Sequence, residues 1–213
     1  HSDLSFLIDP LADSKLRQGC TFELIGNCGR SDGGPLFGEG FDLTNERLET
    51  LNFTPKFSLS GNYGDYLNIL EENGTLINIA GQIGHGTLRT SVIGSGDINP
   101  TLEELDNMIS LLDECLDQGA LGFSTGLYYA PGNYSRTEEI IKLCNVASKK
   151  NKLYSTHMRD ESDYSIGLRG ALEETMSIAQ ISGVKTQVSH LKCIGPVTWG
   201  QADTLLSRID EMR

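Results

Sequence analysis

Residues 101–126 of the chain read TLEELDNMISLLDECLDQGALGFSTG, and this stretch decides the fold. Thr101 and Glu104 form a capping-box pattern, which predicts the start of a helix. Leucine and isoleucine then recur every three or four residues, so that a helix over 102–118 has one apolar face. The next residue, a glycine, predicts the end of that helix, and a strand over 120–124 follows directly. A helix that leads straight into an apolar strand is typical of α/β folds.

The same alternation extends in both directions along the chain. Short apolar stretches predict strands, and amphipathic stretches with a glycine beyond them predict helices. The predicted strands are 20–25, 75–80, 153–156 and 185–189. The predicted helices are 9–18, 65–72, 138–150, 165–182 and 199–212. Residues 29–64 are rich in glycine and are expected to form an irregular insertion.

Strands that alternate with helices pair in parallel, in either a doubly wound sheet or most of a (β/α)8 barrel. Periodicity does not distinguish these folds, but the positions of the reactive residues do. Cys28, His85, Tyr129, His157 and His190 each lie at or just beyond the end of a predicted strand. In a barrel all strand ends converge on one rim, whereas a doubly wound sheet concentrates its ligands at one switch point. We therefore expect a partial (β/α)8 TIM barrel of the α/β class.

The composition limits the partners of this protein. The 17 Lys and Arg against 29 Asp and Glu leave a net charge of −12, and no basic run is present that could neutralise a nucleic-acid backbone. No apolar stretch approaches the ~20 residues of a membrane span. The 5 Cys fall at irregular spacings, which is typical of reduced thiols and predicts a cytoplasmic protein. Neither nucleic acid nor a membrane is an expected partner.

Cys28, His157 and His190 supply the donor set of a catalytic zinc site. Thiolate and neutral imidazole are ligands that Zn²⁺ prefers, and a catalytic zinc has three protein ligands and one open position. Taken alone, each residue is more often buried or hydrogen-bonded than a ligand, but together at strand ends they favour the metal site. Lys192, two residues after His190, would point to the same side of an extended segment, where an ammonium can hold a substrate carboxylate, although a lysine is more often simply exposed.

The strand-end residues belong to five short motifs. They are GNCG (26–29), GHGTLR (84–89), STGLYYAPG (124–132), THMRDE (156–161) and SHLK (189–192). In this order, and over essentially the whole chain, they resemble the motifs of the N-acyl-D-amino-acid deacylases (D-aminoacylases) of the amidohydrolase superfamily. The combination is specific, although no single motif is. The resemblance implies zinc-dependent hydrolysis of the amide bond of a small-molecule N-acyl-D-amino acid, which yields a D-amino acid and a carboxylate.

The resemblance also implies roles for individual residues. In this family a cysteine takes the place of the carboxylated lysine of related amidohydrolases, so Cys28 would hold the zinc with the two histidines named above. Cys28 would also bridge to a weaker second site at His1, which matches the second histidine of a His-x-His pair. Tyr129 matches the tyrosine placed over the scissile amide, and Lys192 matches the residue that binds the substrate carboxylate. No role follows for His85.

The family's general base, an aspartate at the end of the eighth barrel strand, has no match in this chain. The chain, 1–213, is therefore expected to be the central part of a larger barrel domain, with about strands 2 to 6 and the end of strand 1. Alone it is expected to be inactive, and to self-associate through open sheet edges or stay bound to the rest of its parent. The alternatives are a hydantoinase- or dihydroorotase-like cyclic amidohydrolase, a thiol enzyme with Cys28 as nucleophile and His157 as base, and a non-catalytic zinc-binding module.

Overall fold

The computed structural model describes residues 3–55 and 58–213, and a parallel sheet forms its centre. The strands are β1 (Phe22–Ile25), β2 (Asn78–Gly84), β3 (Gly122–Gly126), β4 (Leu153–His157) and β5 (Lys185–Val188). Each strand pairs in parallel with the next one along the chain, and the order in the sheet is β1-β2-β3-β4-β5. The α/β prediction is confirmed.

Helices connect the strands. They are α1 (Ser5–Ile8), α2 (Asp13–Leu16), α3 (Gly38–Thr50), α4 (Tyr63–Asn73), α5 (His85–Val92), α6 (Leu102–Asp117), α7 (Thr137–Lys149), α8 (Gly167–Ser182) and α9 (Ala202–Met212), with a 3-10 turn at Gly132–Tyr134. The longest, α6 and α8, have 16 residues each. Over the described ranges, no helix combines the length and the apolar character that crossing a membrane requires.

The strand order distinguishes the two folds that periodicity left open. In a doubly wound sheet the crossovers reverse direction at a switch point, so some neighbouring strands are not consecutive in the chain. Here every strand lies beside its successor, as in a barrel whose right-handed crossovers continue in one direction. The chain therefore forms part of a (β/α)8-type barrel, as predicted.

Helix α6 illustrates how local sequence and the core act together. Glu104 N donates to Thr101 Oγ1 (3.2 Å) and Thr101 N donates to Glu104 Oε2 (2.7 Å), so the predicted capping box is present. The apolar face of α6 is buried in the main core, which also receives side chains from the strands. The members contributed by α6 and the strands include Met108, Leu112, Cys115, Leu116, Ile25, Ile83, Phe123 and Tyr154.

Strands β2 and β3 end later than predicted. The predicted strands end at residue 80, before Gly81, and at residue 124, but the observed strands continue to Gly84 and Gly126. Gly84 and Gly126 are the last residues of the two strands, and other backbone approaches both of them closely. A Cβ atom would lie 2.5 Å from Gly29 O at Gly84 and 2.2 Å from Cys28 O at Gly126. A glycine that ends a strand and a glycine that admits a neighbouring chain look the same in the sequence.

The segment 29–64 is not irregular throughout, which corrects the expectation. Helix α3 occupies Gly38–Thr50, with Thr44 and Leu48 buried on one face. Leu48 belongs to the main core, and Ser91 on α5 donates to Pro35 O at 2.8 Å just before α3 begins. The glycines in the first turn conceal this helix in the sequence, because glycine has low helix propensity and tertiary packing overrides it here.

Candidate metal centre

Cys28 lies in a tight turn that requires glycine on both sides. Gly26 and Gly29 have φ of +74° and +77°. A Cβ atom at these positions would lie 2.0 Å from Gln82 O and 2.5 Å from Gly126 N. Cys28 itself has φ of +54°, an uncommon conformation for a residue with a Cβ atom. The turn therefore holds the buried thiol by backbone packing against β2 and β3.

Ser124 on β3 anchors this turn. Its hydroxyl donates to Gly26 O (2.5 Å) and accepts from Gly29 N (3.1 Å). Ser124 is fully buried, so these hydrogen bonds form in a site of low dielectric constant where an unpaired group would be costly. The position of the Cys28 thiol thus depends on a strand that comes much later in the chain.

His157 and His190 bring two imidazoles to this thiol. His157 is the last residue of β4, and His190 lies two residues beyond β5 with φ of +35°. Cys28 Sγ is 3.5 Å from His190 Nε2, and the two imidazole centroids are 4.3 Å apart. One ligand atom from each of the three residues lies within 4.8 Å of the others. Left-handed backbone at Cys28 and His190 is the kind of local strain found at functional sites.

The donor set and its spacing fit a zinc ion. A tetrahedral site with Zn–S of about 2.3 Å and Zn–N of about 2.0 Å separates sulfur from nitrogen by about 3.5 Å. This equals the 3.5 Å between Cys28 Sγ and His190 Nε2. Three protein ligands with a fourth position left open are also typical of catalytic zinc sites. We refer to Cys28, His157 and His190 as the ligand cluster.

Tyr129 contacts the ligand cluster from the loop after β3. Its hydroxyl lies 3.3 Å from His157 Nδ1, and its ring meets the imidazole edge-on with centroids 5.0 Å apart. Burial, together with the neighbouring Cys28, raises the pKa of Tyr129 well above its ordinary value. The hydroxyl therefore stays protonated at neutral pH. Because 41% of the residue is exposed, a small molecule can reach this donor.

Glu161 is a site residue that the sequence analysis missed. Its carboxylate is buried and lies against three basic side chains. Oε2 is 3.1 Å from His157 Nε2, Oε1 is 3.3 Å from His190 Nδ1, and Oε1 also pairs with Lys192 Nζ. The sequence carried a signal, since Glu161 ends the THMRDE motif four residues after His157. A glutamate in a polar loop, however, is most often an exposed residue.

Lys192 lies beside His190, as the sequence predicts, but the backbone between them is not an extended strand. Strand β5 ends at Val188, and a turn follows. Lys192 Nζ is 3.1 Å from His190 Nδ1 and forms an ion pair with Glu161. The ion pair with Glu161 fixes one side of the Lys192 ammonium. Because 42% of the side chain is exposed, the other side is accessible to a small molecule.

The electrostatic surroundings keep His157 neutral. Burial lowers the pKa of His157, and the neighbouring His190 and Lys192 lower it further, against the opposing effect of Glu161. A neutral imidazole has a free lone pair, which a metal ligand requires. The cluster is therefore suited to a cation without prior loss of a proton from His157.

Asp160 fixes the loop that follows His157. Its Oδ1 accepts from Ser162 N (2.8 Å), and its Oδ2 accepts from Ser165 N (2.6 Å) and Gly167 N (3.1 Å). Burial alone would raise the pKa of Asp160, but these hydrogen bonds outweigh it and lower the pKa below its ordinary value. Gly167 begins α8, so the carboxylate also satisfies a free N–H group at that helix start.

His85 does not join the ligand cluster, although it follows a strand end as the cluster residues do. It is the first residue of α5 and is fully buried, with Nε2 2.7 Å from Glu139 Oε1 on α7. Arg89, also fully buried, donates to both oxygens of Glu139 at 2.9 and 2.8 Å. Burial lowers the pKa of His85 in spite of this carboxylate. Because the chain turns directly from β2 into a helix, His85 faces α7 rather than the rim.

His1 and the other four cysteines do not add to the described ligand cluster. His1 lies outside the described residues. Cys20 is exposed, Cys115 and Cys144 are buried in helices, and Cys193 is partly exposed in a loop. Each of these four cysteines is a free thiol, and none belongs to the ligand cluster.

A cavity of about 460 Å³ opens beside the ligand cluster. It lies between α3, α5 and the loop after β3, and it shares Cys28 and Tyr129 with the cluster. Much of its wall is apolar or lacks a large side chain, including Leu36, Leu43, Gly86, Ala130 and Pro131.

Two arginines also line this cavity. Arg30 Nε lies 3.0 Å from Asp32 Oδ1, and Arg47 Nη1 lies 2.5 Å from Asp32 Oδ2. The shared carboxylate neutralises part of their charge. Each of the two arginines is therefore ion-paired with Asp32.

Comparisons with known proteins agree with this geometry. No protein-family model matches the chain. N-acyl-D-glutamate deacylase from Alcaligenes xylosoxydans xylosoxydans is 34% identical over 100% of this chain and 42% of its own length. D-aminoacylase from the same organism is 34% identical over 92% of this chain and 39% of its own length. This chain thus spans about two fifths of the length of these relatives.

Solved structures give the same result. N-acyl-D-glutamate deacylase from Bordetella bronchiseptica, complexed with zinc and a phosphonate that mimics the tetrahedral intermediate, superposes with a TM-score of 0.88. Its sequence is 33% identical over 100% of this chain and 43% of that chain. A D-aminoacylase structure described as defining a novel subset of amidohydrolases superposes with a TM-score of 0.85, at 32% identity and the same coverage.

Fold and site together define the chain as part of an amidohydrolase barrel. Within that class it is similar to the N-acyl-D-amino-acid deacylases, with which it shares about a third of its residues. The resemblance carried by the five motifs is confirmed.

Proposed function

We propose that the protein hydrolyses N-acyl-D-amino acids to a D-amino acid and a carboxylate, with zinc held by Cys28, His157 and His190. The observation that carries this proposal is the convergence of one thiol and two imidazoles within 4.8 Å. The names of the relatives support the substrate class. When bound, zinc would polarise the amide carbonyl and lower the pKa of a water molecule towards ~7.

Tyr129 stabilises the charge that develops on the amide oxygen. Its raised pKa keeps the hydroxyl protonated, and it already lies within 3.3 Å of a cluster nitrogen, His157 Nδ1. A preorganised donor next to the reacting carbonyl is a large contribution to acyl-transfer catalysis. The general base that the resemblance implies, an aspartate of the eighth barrel strand, is assigned to no residue of these five strands.

Lys192 binds the α-carboxylate of the substrate. Its ammonium is fixed on one side by Glu161 and is accessible on the other. With the amide at the ligand cluster and the carboxylate at Lys192, the α-carbon is held at two points. The side chain and the hydrogen on that carbon then occupy different surroundings, which allows one enantiomer to be selected.

The cavity beside Cys28 receives the acyl group. Lys192 follows β5, whereas the cavity is lined by residues that follow β1, β2 and β3, towards the other end of the strand order. An amide bound at the cluster with its carboxylate towards Lys192 directs its acyl carbon towards the cavity. The apolar lining favours aliphatic or aromatic acyl groups.

We also propose a location, a domain organisation and partners for the whole protein. The free thiols support a cytoplasmic location. The chain, 1–213, is the central part of a barrel domain, and the edges of the sheet at β1 and β5 pair with other strands of the same protein or with a second copy. The partner in catalysis is a small molecule.

The test uses the protein expressed at its full natural length and loaded with zinc. It is assayed on N-acetyl derivatives of acidic and neutral D-amino acids, on the L-enantiomers, and on hydantoin and dihydroorotate. We expect release of D-amino acids only, lost on removal of zinc by a chelator and restored by adding zinc. Turnover of the cyclic amides alone would identify a cyclic amidohydrolase, and zinc binding without any turnover would identify a binding module.

A separate control addresses the thiol mechanism. Alkylation of the zinc-free protein should modify Cys28, and bound zinc should protect it, because a thiolate that ligates zinc is a poor nucleophile. Cys20, which is exposed, serves as the matched reference and should react at the same rate in both states. Inactivation that zinc does not slow would favour Cys28 as a nucleophile.

A further inference from the structure

We infer that Glu161 is a positioning residue that orients both histidines of the ligand cluster and the substrate-binding Lys192 through a single buried carboxylate. The inference rests on the proposed function. It assigns Glu161 no contact with the substrate or with zinc. Its effect is to determine which nitrogen of each imidazole faces the metal and where the ammonium stands.

Glu161 is well placed to act as a fixed acceptor. It is 2% exposed, and its loop is held on both sides. Before it, Asp160 accepts several backbone N–H groups, and Glu161 O itself accepts from Ile194 N at 2.8 Å. The hydrogen bond between Ile194 N and Glu161 O connects Glu161 to the segment that carries His190 and Lys192. The carboxylate therefore has little freedom to move away from its partners.

For His157, Glu161 selects the tautomer. Glu161 Oε2 lies 3.1 Å from His157 Nε2, a buried nitrogen that makes no aligned hydrogen bond to any group in the described residues. A carboxylate can only accept, so it favours a proton on Nε2. The lone pair then resides on Nδ1, the nitrogen next to the Tyr129 hydroxyl.

For His190, the nitrogen that would ligate zinc determines the tautomer. Two groups lie near His190 Nδ1, namely Glu161 Oε1 at 3.3 Å and Lys192 Nζ at 3.1 Å. Zinc held by Nε2 requires the proton on Nδ1, and of these two groups only the Glu161 carboxylate can accept it, because the Lys192 ammonium can donate only to an unprotonated Nδ1. With the proton on Nδ1, the lone pair resides on Nε2, which is the nitrogen 3.5 Å from Cys28 Sγ.

The two oxygens of one carboxylate thus contact the nitrogens of the two imidazoles that do not ligate. Carboxylates that accept from metal-ligating histidines fix the ring orientation and make the ligand more basic. Glu161 would do this for two ligands at once, which a single backbone carbonyl cannot do. Its negative charge also offsets the Lys192 ammonium, which stands 3.1 Å from a nitrogen of the His190 ring.

The test compares Glu161→Gln with Glu174→Gln in the protein at its full natural length. Glu174 is a matched control, because it is also a shielded carboxylate, pairs with Arg159 and touches none of the cluster residues. Zinc affinity is measured by competition with a chromophoric chelator, and kcat and KM are measured on an N-acetyl-D-amino acid. A third variant, Glu161→Asp, retains the charge, and circular dichroism reports whether each variant is folded.

We expect Glu161→Gln to weaken zinc binding by about 10- to 100-fold and to raise KM as well, while Glu174→Gln leaves both near the wild-type values. Glu161→Asp should fall between wild type and Glu161→Gln. The visible spectrum of the Co²⁺-substituted protein should change in Glu161→Gln only, which a loss of stability alone would not produce.

The outcomes distinguish this inference from the proposed function. If the wild type binds zinc and is active but Glu161→Gln binds zinc as tightly as Glu174→Gln, Glu161 does not position the ligands and only this inference is overturned. If the wild type itself binds no zinc, the proposed function fails, and this inference fails with it.

Discussion

Cys28 Sγ lies 3.5 Å from His190 Nε2, although 162 residues separate the two positions in the chain. Both residues follow parallel strands, β1 and β5, that lie at opposite ends of the sheet order. In a flat sheet these strand ends would be far apart, since neighbouring strands are about 4.8 Å from each other. The contact therefore shows that the sheet curves as a barrel wall does, and it brings a thiol and an imidazole into ligand distance.

Removing any residue of the ligand cluster should release zinc. Single Ala substitutions at Cys28, His157 or His190 leave two protein ligands, and we expect less than a tenth of the wild-type zinc content after dialysis. Elemental analysis of the protein at its full natural length gives the measurement. Cys20→Ala is the control and should retain zinc, and full zinc content in both Cys28→Ala and His157→Ala would disprove the site.

Ser124→Ala should weaken the zinc site without touching a ligand. The substitution removes one hydrogen bond to Gly26 O and one from Gly29 N, and leaves both groups of the Cys28 turn unpaired. The expected loss of stability is ~1–3 kcal/mol, with weaker zinc binding. Thermal unfolding and chelator competition measure the two effects.

Ser182→Ala is the matched control for this prediction, because its buried hydroxyl donates within α8 to Ile178 O. It should reduce stability but leave zinc affinity unchanged. Equal zinc affinity in the Ser124 and Ser182 variants would mean that the turn does not depend on Ser124.

Lys192→Ala should mainly raise KM. A hydrogen bond to a charged group contributes ~1.5–3 kcal/mol, which corresponds to a rise of about 10- to 150-fold. The comparison of an N-acetyl-D-amino acid with its methyl ester isolates the contact, since only the free acid has a carboxylate. The variant should lose its preference for the acid, and an equal loss on both substrates would remove Lys192 from this role.

Leu43→Trp should restrict the acyl group. Leu43 lines the cavity beside Cys28, so a larger side chain reduces the space for a long acyl chain. In the wild type each buried CH₂ should contribute ~0.8 kcal/mol, so kcat/KM should rise from N-acetyl to N-butanoyl and N-hexanoyl substrates. The variant should keep activity on the N-acetyl substrate and lose this rise. Leu102→Trp, on an exposed face of α6, should behave as the wild type.

Acid should destabilise the zinc-free protein through His85 and Glu139. Burial lowers the pKa of His85 from 6.5, so the unfolded chain binds a proton near that pH that the folded chain does not. Above pH 6.5 His85 is neutral in both states, and the free energy of unfolding does not depend on its protonation. As the pH falls below that value, the free energy of unfolding decreases by up to about 1.4 kcal/mol per pH unit. Burial alone would raise the pKa of Glu139, but His85 and Arg89 outweigh burial and lower this pKa from 4.5. A second decrease in the free energy of unfolding therefore follows as the pH falls below 4.5.

The measurement is the melting temperature between pH 7.5 and 5, in wild type and His85→Gln. The variant lacks the titrating imidazole, so its melting temperature should depend less on pH over this range. An unchanged slope would show that His85 is not the group that titrates. His157, whose pKa is also lowered, contributes equally to both proteins and cancels in the comparison.

The sequence by itself determined the succession of helices and strands and the three members of the ligand cluster. Helix α6 follows from its capping box and its apolar period, which are interactions between residues at most four apart. Cys28, His157 and His190 could be chosen because they follow strand ends, and parallel strands direct those ends to the same rim. Local patterns are sufficient for the helix, whereas the choice of these three ligands among the strand-end residues also needed the donor chemistry of zinc and the resemblance of the motifs.

Only the tertiary structure decided how the individual side chains are paired. His85 follows a strand end just as His157 does, but the chain enters α5 at once and buries its imidazole against Glu139. Glu161 looks like an exposed loop glutamate until β5 brings His190 and Lys192 to it, 29 and 31 residues later. These outcomes depend on the direction in which a chain leaves its strand and on contacts between distant segments. Neither is encoded within the few residues over which a sequence pattern acts.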